Sequence, residues 1–80
     1  HDPLADPDEA KAYYGVDLKA LGQLEGVDAL VVAVSHQPYL DMGLVRLAGL
    51  CGGSRAVMVD VKSAFDPGEA EGAGISYWRL

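Results

Sequence analysis

The clearest signal in the chain is an unbroken apolar run, Ala29-Leu30-Val31-Val32-Ala33-Val34, opened by Asp28 and ended abruptly by Ser35-His36-Gln37-Pro38. It is rich in β-branched residues and does not alternate, the pattern of a strand buried on both faces of a parallel sheet. From Pro38 to about Leu50 the period changes. Leu40, Leu44, Leu47, Ala48 and Cys51 recur at helical spacing, with Met42 and Val45 off the stripe, which predicts a helix touching more than one neighbour. Gly52-Gly53 is read as its stop, and Ala56–Asp60 as a second buried strand. Strand, helix and strand in this order make a βαβ unit, which requires parallel strands and a right-handed crossover.

The flanks carry local signals. Asp6-Pro7-Asp8-Glu9 reads as a helix start, with Asp6 as N-cap, Pro7 at the first helical position and Glu9 completing a capping box. Gly15 fits a left-handed stop after Tyr14. Val16–Leu18 is expected as a short strand and Ala20–Leu24 as a helical turn ending at Gly26. Phe65–Gly74, with Pro67 and three glycines, reads as turns. Ile75–Leu80 is expected as a last edge strand. His1-Asp2-Pro3 reads like the loop after a strand, which implies that earlier strands of the same sheet are missing. The fold class is therefore α/β, a three-layer Rossmann-like parallel sheet in truncated form.

Composition narrows the function classes. The chain has 80 residues, half of them hydrophobic, too apolar for a disordered tail. A chain this short buries roughly 60–65% of its unfolded surface, so its stability is marginal unless something covers its faces. The apolar run is far below the roughly 20 residues that cross a bilayer, no secretion signal opens the chain, and a lone cysteine points to a reducing, cytoplasmic setting. With 12 acidic against 6 basic residues, and the basic ones scattered, no nucleic-acid surface is expected. A small anionic ligand would be held by one or two placed groups against the overall field.

In open parallel sheets, ligands sit outside the carboxyl ends of the strands. That rule selects three loops: His1–Asp6, Ser35–Pro38 and Asp60–Ser63. Lys62, two positions past a strand end and read as the only cation on that edge, reaches a phosphate or carboxylate as a point charge, or pairs with Asp60 in solvent. His36 contacts a ligand, caps the next helix or packs at a domain boundary. Cys51 falls at a helix carboxyl end, where the dipole disfavours the thiolate, and reads as a buried structural thiol. No metal-ligand spacing is found, and Gly68, Gly72 and Gly74 do not make a dinucleotide fingerprint. Tyr13-Tyr14 and Tyr77-Trp78 read as core packing or a covered interface rather than base stacking.

Taken in order, Asp2-Pro3, Asp8-Glu9-Ala10 leading to Tyr14-Gly15-Val16, Asp28 to His36, Val59-Asp60-Val61-Lys62 and Tyr77-Trp78-Arg79-Leu80 resemble the carboxyl-terminal, UDP-binding domain of the UDP-glucose/GDP-mannose dehydrogenase family. The similarity spans nearly the whole chain, and Asp60-Val61-Lys62 with Met42-Gly43 is most like the branch that oxidises UDP-N-acetylhexosamines for capsule and Vi-type polysaccharides. The resemblance implies a partial substrate domain of an enzyme that oxidises the sugar C6 hydroxymethyl group to a carboxylate in two NAD-dependent steps. It places NAD on an amino-terminal Rossmann domain outside this chain, the catalytic cysteine before it, and homodimerisation or higher assembly in a helical region between. Lys62, His36 and Asp60 are then the substrate-side residues, and no catalytic residue lies here. Cys51 does not match the family's cysteine, many relatives carry arginine where Lys62 stands, and the usual glycine-rich ending is altered. The rival expectations are a flavodoxin-like or receiver-like interaction module and a structural domain whose helix 38–50 docks a partner. A receiver is disfavoured because Asp60 and Lys62 share one loop.

Overall fold

In the computed structural model, which describes residues 1–52 and 55–80, three strands form one parallel sheet in the order β1-β2-β3. The strands are β1 (Leu30–Val32), β2 (Val57–Asp60) and β3 (Ser76–Arg79), and the helices are α1 (Pro7–Tyr14), α2 (Gln37–Ala48) and α3 (Pro67–Gly72). A 3₁₀ turn covers Leu21–Gln23. The chain is thus a small α/β domain with βαβαβ connectivity.

Both strand pairings are parallel. Leu30 pairs with Met58 and Val32 with Asp60, while Met58 pairs with Tyr77 and Asp60 with Arg79. The expected βαβ unit and last edge strand are present, although β1 is three residues long rather than seven. Pairing with β2 limits it: Val27 and Cys51 make only an isolated parallel bridge further back. There the backbones nearly touch, because a Cβ on Gly52 would lie 2.8 Å from the Gly26 Cα.

Residues paired across a sheet share a face, and faces alternate along each strand. The row Leu30, Met58, Tyr77 and the row Val32, Asp60, Arg79 therefore face one side. There Val32, Met58, Leu44 and Leu47 of α2, Ala70 of α3 and Ile75 form the core. The row Val31, Val59, Trp78 faces the other side, with Val31 67% and Trp78 56% exposed. The expectation that the first strand is buried on both faces is thus corrected, because no described element packs over Val31.

The helix starts follow side-chain caps. Asp6 accepts the Asp8 and Glu9 amides, and Gly15 closes α1 at φ 67°; no residue of α1 is buried, so Tyr13 and Tyr14 are exposed rather than core. In α2 the ladder breaks at Gly43 (φ 80°, ψ 164°), and the helix ends at Ala48 with Gly49 as cap. Gly52 lies beyond it, and Gly53, also read as part of its stop, falls outside the described residues. Two further expectations change. Val16–Leu18 is not a strand. The Phe65–Gly74 segment holds α3, started by Asp66, whose carboxylate accepts the Glu69 amide, so Gly68 and Gly72 are helical rather than turn residues.

Candidate functional site at the carboxyl edge of the sheet

Because β1, β2 and β3 run the same way, the residues that follow them emerge on a single edge. Val61, the first residue after β2, donates its amide to the Val32 carbonyl, 3.0 Å away, so the two exits stay side by side. His36 and Lys62 accordingly lie on loops of the same edge. β3 delivers Arg79 there as well, in register with Asp60, so Lys62 is not the only cation on it. A basic residue inside the last expected strand, Ile75–Leu80, was visible in the sequence, but its place beside Asp60 depends on the β2–β3 register.

The first loop is brought to the second. The His36 Nε2 lies 3.7 Å from Asp2 Oδ1, and the His36 side chain is 20% exposed. Asp2 Oδ1 also accepts the Leu4 and Ala5 amides, which fixes its orientation. His36 occupies the N-cap position of α2, but its side chain makes no capping bond; its carbonyl accepts from Tyr39 and Leu40 instead. The ring thus stays turned toward Asp2 and Tyr39, 5.8 Å from the Tyr39 ring centre. Tyr39, which sequence reasoning passed over, donates its hydroxyl to the His1 carbonyl. Burial, and then the Asp2 charge, push its phenol above the ordinary value. These groups rim a cavity of about 200 Å³ whose walls are Val32, Leu30, Leu47 and Leu50. A three-residue offset from His36 was the available signal for Tyr39, since i and i+3 share a helix face.

At the second loop the chemistry is inward. Asp60 is fully buried. Its Oδ2 accepts the Phe65 amide at 2.9 Å and the Tyr77 hydroxyl at 2.5 Å. The Tyr77 oxygen also lies 3.0 Å from the Phe65 carbonyl. Asp60 Oδ1 has no hydrogen-bond partner among the described residues. Burial raises the Asp60 pKa, but the Tyr77 hydrogen bond and the amides of Ala64, Phe65 and Lys62 outweigh it, so the carboxyl is held below its usual value. The Tyr77 phenol moves oppositely: burial, then the hydrogen bond to Asp60 and its charge, push it up to about 12. Asp60 therefore meets the Tyr77 hydroxyl and the loop amides and makes no ion pair with the Lys62 ammonium, Lys62 being exposed beyond the turn. A fully buried carboxylate has no surface to offer a ligand, so its place in this site is beneath the Lys62 loop.

From the sequence Tyr77 reads as core packing or a covered interface, with no polar partner. Finding its bond needed the β2–β3 register, which places it diagonally from Asp60 on one face, within reach of an aromatic side chain. Cys51 is half-buried at the opposite end of the β1–β2 pairing. Among the described residues no group of three or more His, Cys, Asp or Glu could hold a metal ion, and no helix is long and apolar enough to cross a membrane. No family model, curated protein or solved structure matches the chain.

Proposed function

We propose that this chain is the UDP-binding, carboxyl-terminal part of an NAD-dependent nucleotide-sugar 6-dehydrogenase, with Lys62 and His36 facing the diphosphate of a UDP-sugar and Asp60 holding the Lys62 loop. The observation that carries the reading is the parallel pairing of β1 and β2, which sets the His36 and Lys62 loops on one edge, where ligands of such sheets are bound. Lys62 and Arg79 give that edge two positive charges in a chain of net charge −6. A compact ammonium on an exposed loop neutralises a phosphate oxygen as a point charge. His36, oriented by Asp2, offers a ring nitrogen to the same group.

NAD does not fit the residues present. A dinucleotide pyrophosphate sits on free amides at a helix N-terminus. Here Asp6 takes those of α1 and Asp66 that of α3, while Pro38 removes a donor from the first turn of α2. The acidic caps also repel a phosphate. In the proposed enzyme NAD supplies the hydride acceptor from another domain. The role left to this edge is to bind the nucleotide end, and such remote contacts align the reacting sugar and so raise the rate.

The row Val31, Val59, Trp78, exposed at Val31 and Trp78 and half-buried at Val59, supports the larger architecture of the reading. A parallel sheet is stable with both faces covered, so a further helical layer over this row gives the three-layer Rossmann-like fold. The same row also favours a second reading, a non-catalytic interaction module that docks another protein there. UDP binding separates the two. In the full-length gene product, Lys62→Ala is expected to weaken UDP-sugar affinity about tenfold or more, the loss of one charge-assisted contact, measured by calorimetry. Unchanged affinity would overturn the proposal.

A further inference from the structure

We infer that Tyr77 is a positioning residue for the anion site: acting through Asp60, it fixes the 61–65 loop and so sets the ligand affinity of Lys62 without touching the ligand. The inference rests on the UDP-binding reading above and assigns it a residue that neither the strand-end rule nor the sequence pattern selects.

Lys62 lies on a loop whose two ends are pinned. On the near side, the Val61 amide is bonded to Val32 of β1 at 3.0 Å. On the far side, the Phe65 amide is bonded to Asp60 Oδ2 at 2.9 Å. Between them Ser63 adopts φ 52°, a left-handed conformation that persists in a non-glycine residue only where its surroundings over-determine it. The far pin depends on Asp60 keeping the rotamer that aims Oδ2 at the Phe65 amide, and a second partner on Oδ2 holds that rotamer. Tyr77 is that partner, because its hydroxyl donates to the same Oδ2 from the neighbouring strand. The Tyr77 oxygen also lies 3.0 Å from the Phe65 carbonyl, so one phenol meets both the carboxylate and the loop end it holds. The charge stays on Asp60, as the raised Tyr77 and lowered Asp60 pKa values require, so the pair is phenol and carboxylate at neutral pH. The lysine side chain itself remains exposed and available.

A phenylalanine at position 77 keeps the ring and removes only the hydroxyl. The test is a double-mutant cycle in the full-length gene product, with UDP as the ligand and calorimetry as the readout. Tyr77→Phe is expected to weaken UDP binding about threefold to tenfold when Lys62 is present, and less than about twofold when Lys62 is already alanine, because coupled residues are non-additive. An equal loss on both backgrounds, or no loss beside Lys62, would overturn the positioning role while leaving the UDP reading intact. No loss from Lys62→Ala alone would overturn the reading itself, and the inference with it. Should Tyr77→Phe not fold, hydrogen exchange on the unaltered protein decides. The Phe65 amide is expected to exchange far more slowly than an amide of the unstructured chain, and exchange at the unstructured rate would remove the pin on which the inference stands.

Discussion

Asp60 and Tyr77 show how one carboxylate is kept charged without solvent. Burial alone would raise its pKa, and the phenol together with the loop amides reverses the direction. The consequence for stability has a definite sign. The folded Asp60 pKa is depressed, so its contribution is complete above the unfolded carboxylate value and is lost as pH falls through the lower, folded one. Tyr77 is raised to about 12, so its contribution is complete below the ordinary phenol value near 10 and is lost as pH rises from there through about 12. Tyrosinate absorbance is expected to show one phenol ionising near 12, and that step is expected to vanish in Tyr77→Phe. A titration unaltered by the substitution would contradict the assignment. Core deletion belongs to the same scale. Met58 has no exposed surface, so Met58→Ala is expected to cost about 2–5 kcal/mol. In a domain this small, that loss should unfold most of the population at 25 °C, seen as lost near-ultraviolet dichroism.

Elements respond differently according to whether they touch the core. α1 buries nothing, so removing its cap with Asp6→Ala is expected to cost about 1 kcal/mol of local helix stability. Faster exchange of the Asp8 and Glu9 amides should report it, with the melting temperature barely moved. By contrast, Gly52→Ala sets a methyl 2.8 Å from the Gly26 Cα. It is expected to cost about 1–3 kcal/mol and to lower the melting temperature of the whole sheet. The elements legible in the sequence were those with a local cause: the Asp6 cap, the Gly15 stop, the apolar strand and the period of α2. α3 had the same cause, since Asp66-Pro67-Gly68-Glu69 repeats the Asp6-Pro7-Asp8-Glu9 start, but the glycines nearby made the segment read as turns. The length of β1 and the break at Gly43 had no local cause to read. One is set by the partner strand, the other by a glycine whose freedom permits a break without demanding it.

For the whole molecule, parallel topology converts separate motifs into one edge. The sequence placed His36 and Lys62 on loops of one edge because a βαβ unit admits only co-directional strands, and the parallel β1–β2 pairing agrees with that. It also placed the His1–Asp6 loop on that edge, and the 3.7 Å approach of Asp2 to His36 agrees with that. The inward turn of Asp60 and the arrival of Arg79 were not legible, since both depend on which strand neighbours β2 and in what register. Net charge works against an anion everywhere except where such placed groups outweigh it, so the edge is the place to look. The most direct measurement is a crystal structure of the full-length gene product with UDP bound. The account predicts a phosphate oxygen within about 4 Å of the Lys62 Nζ, with the Tyr77–Asp60 bond intact beneath it. UDP bound away from the 35–38 and 60–63 loops would contradict it.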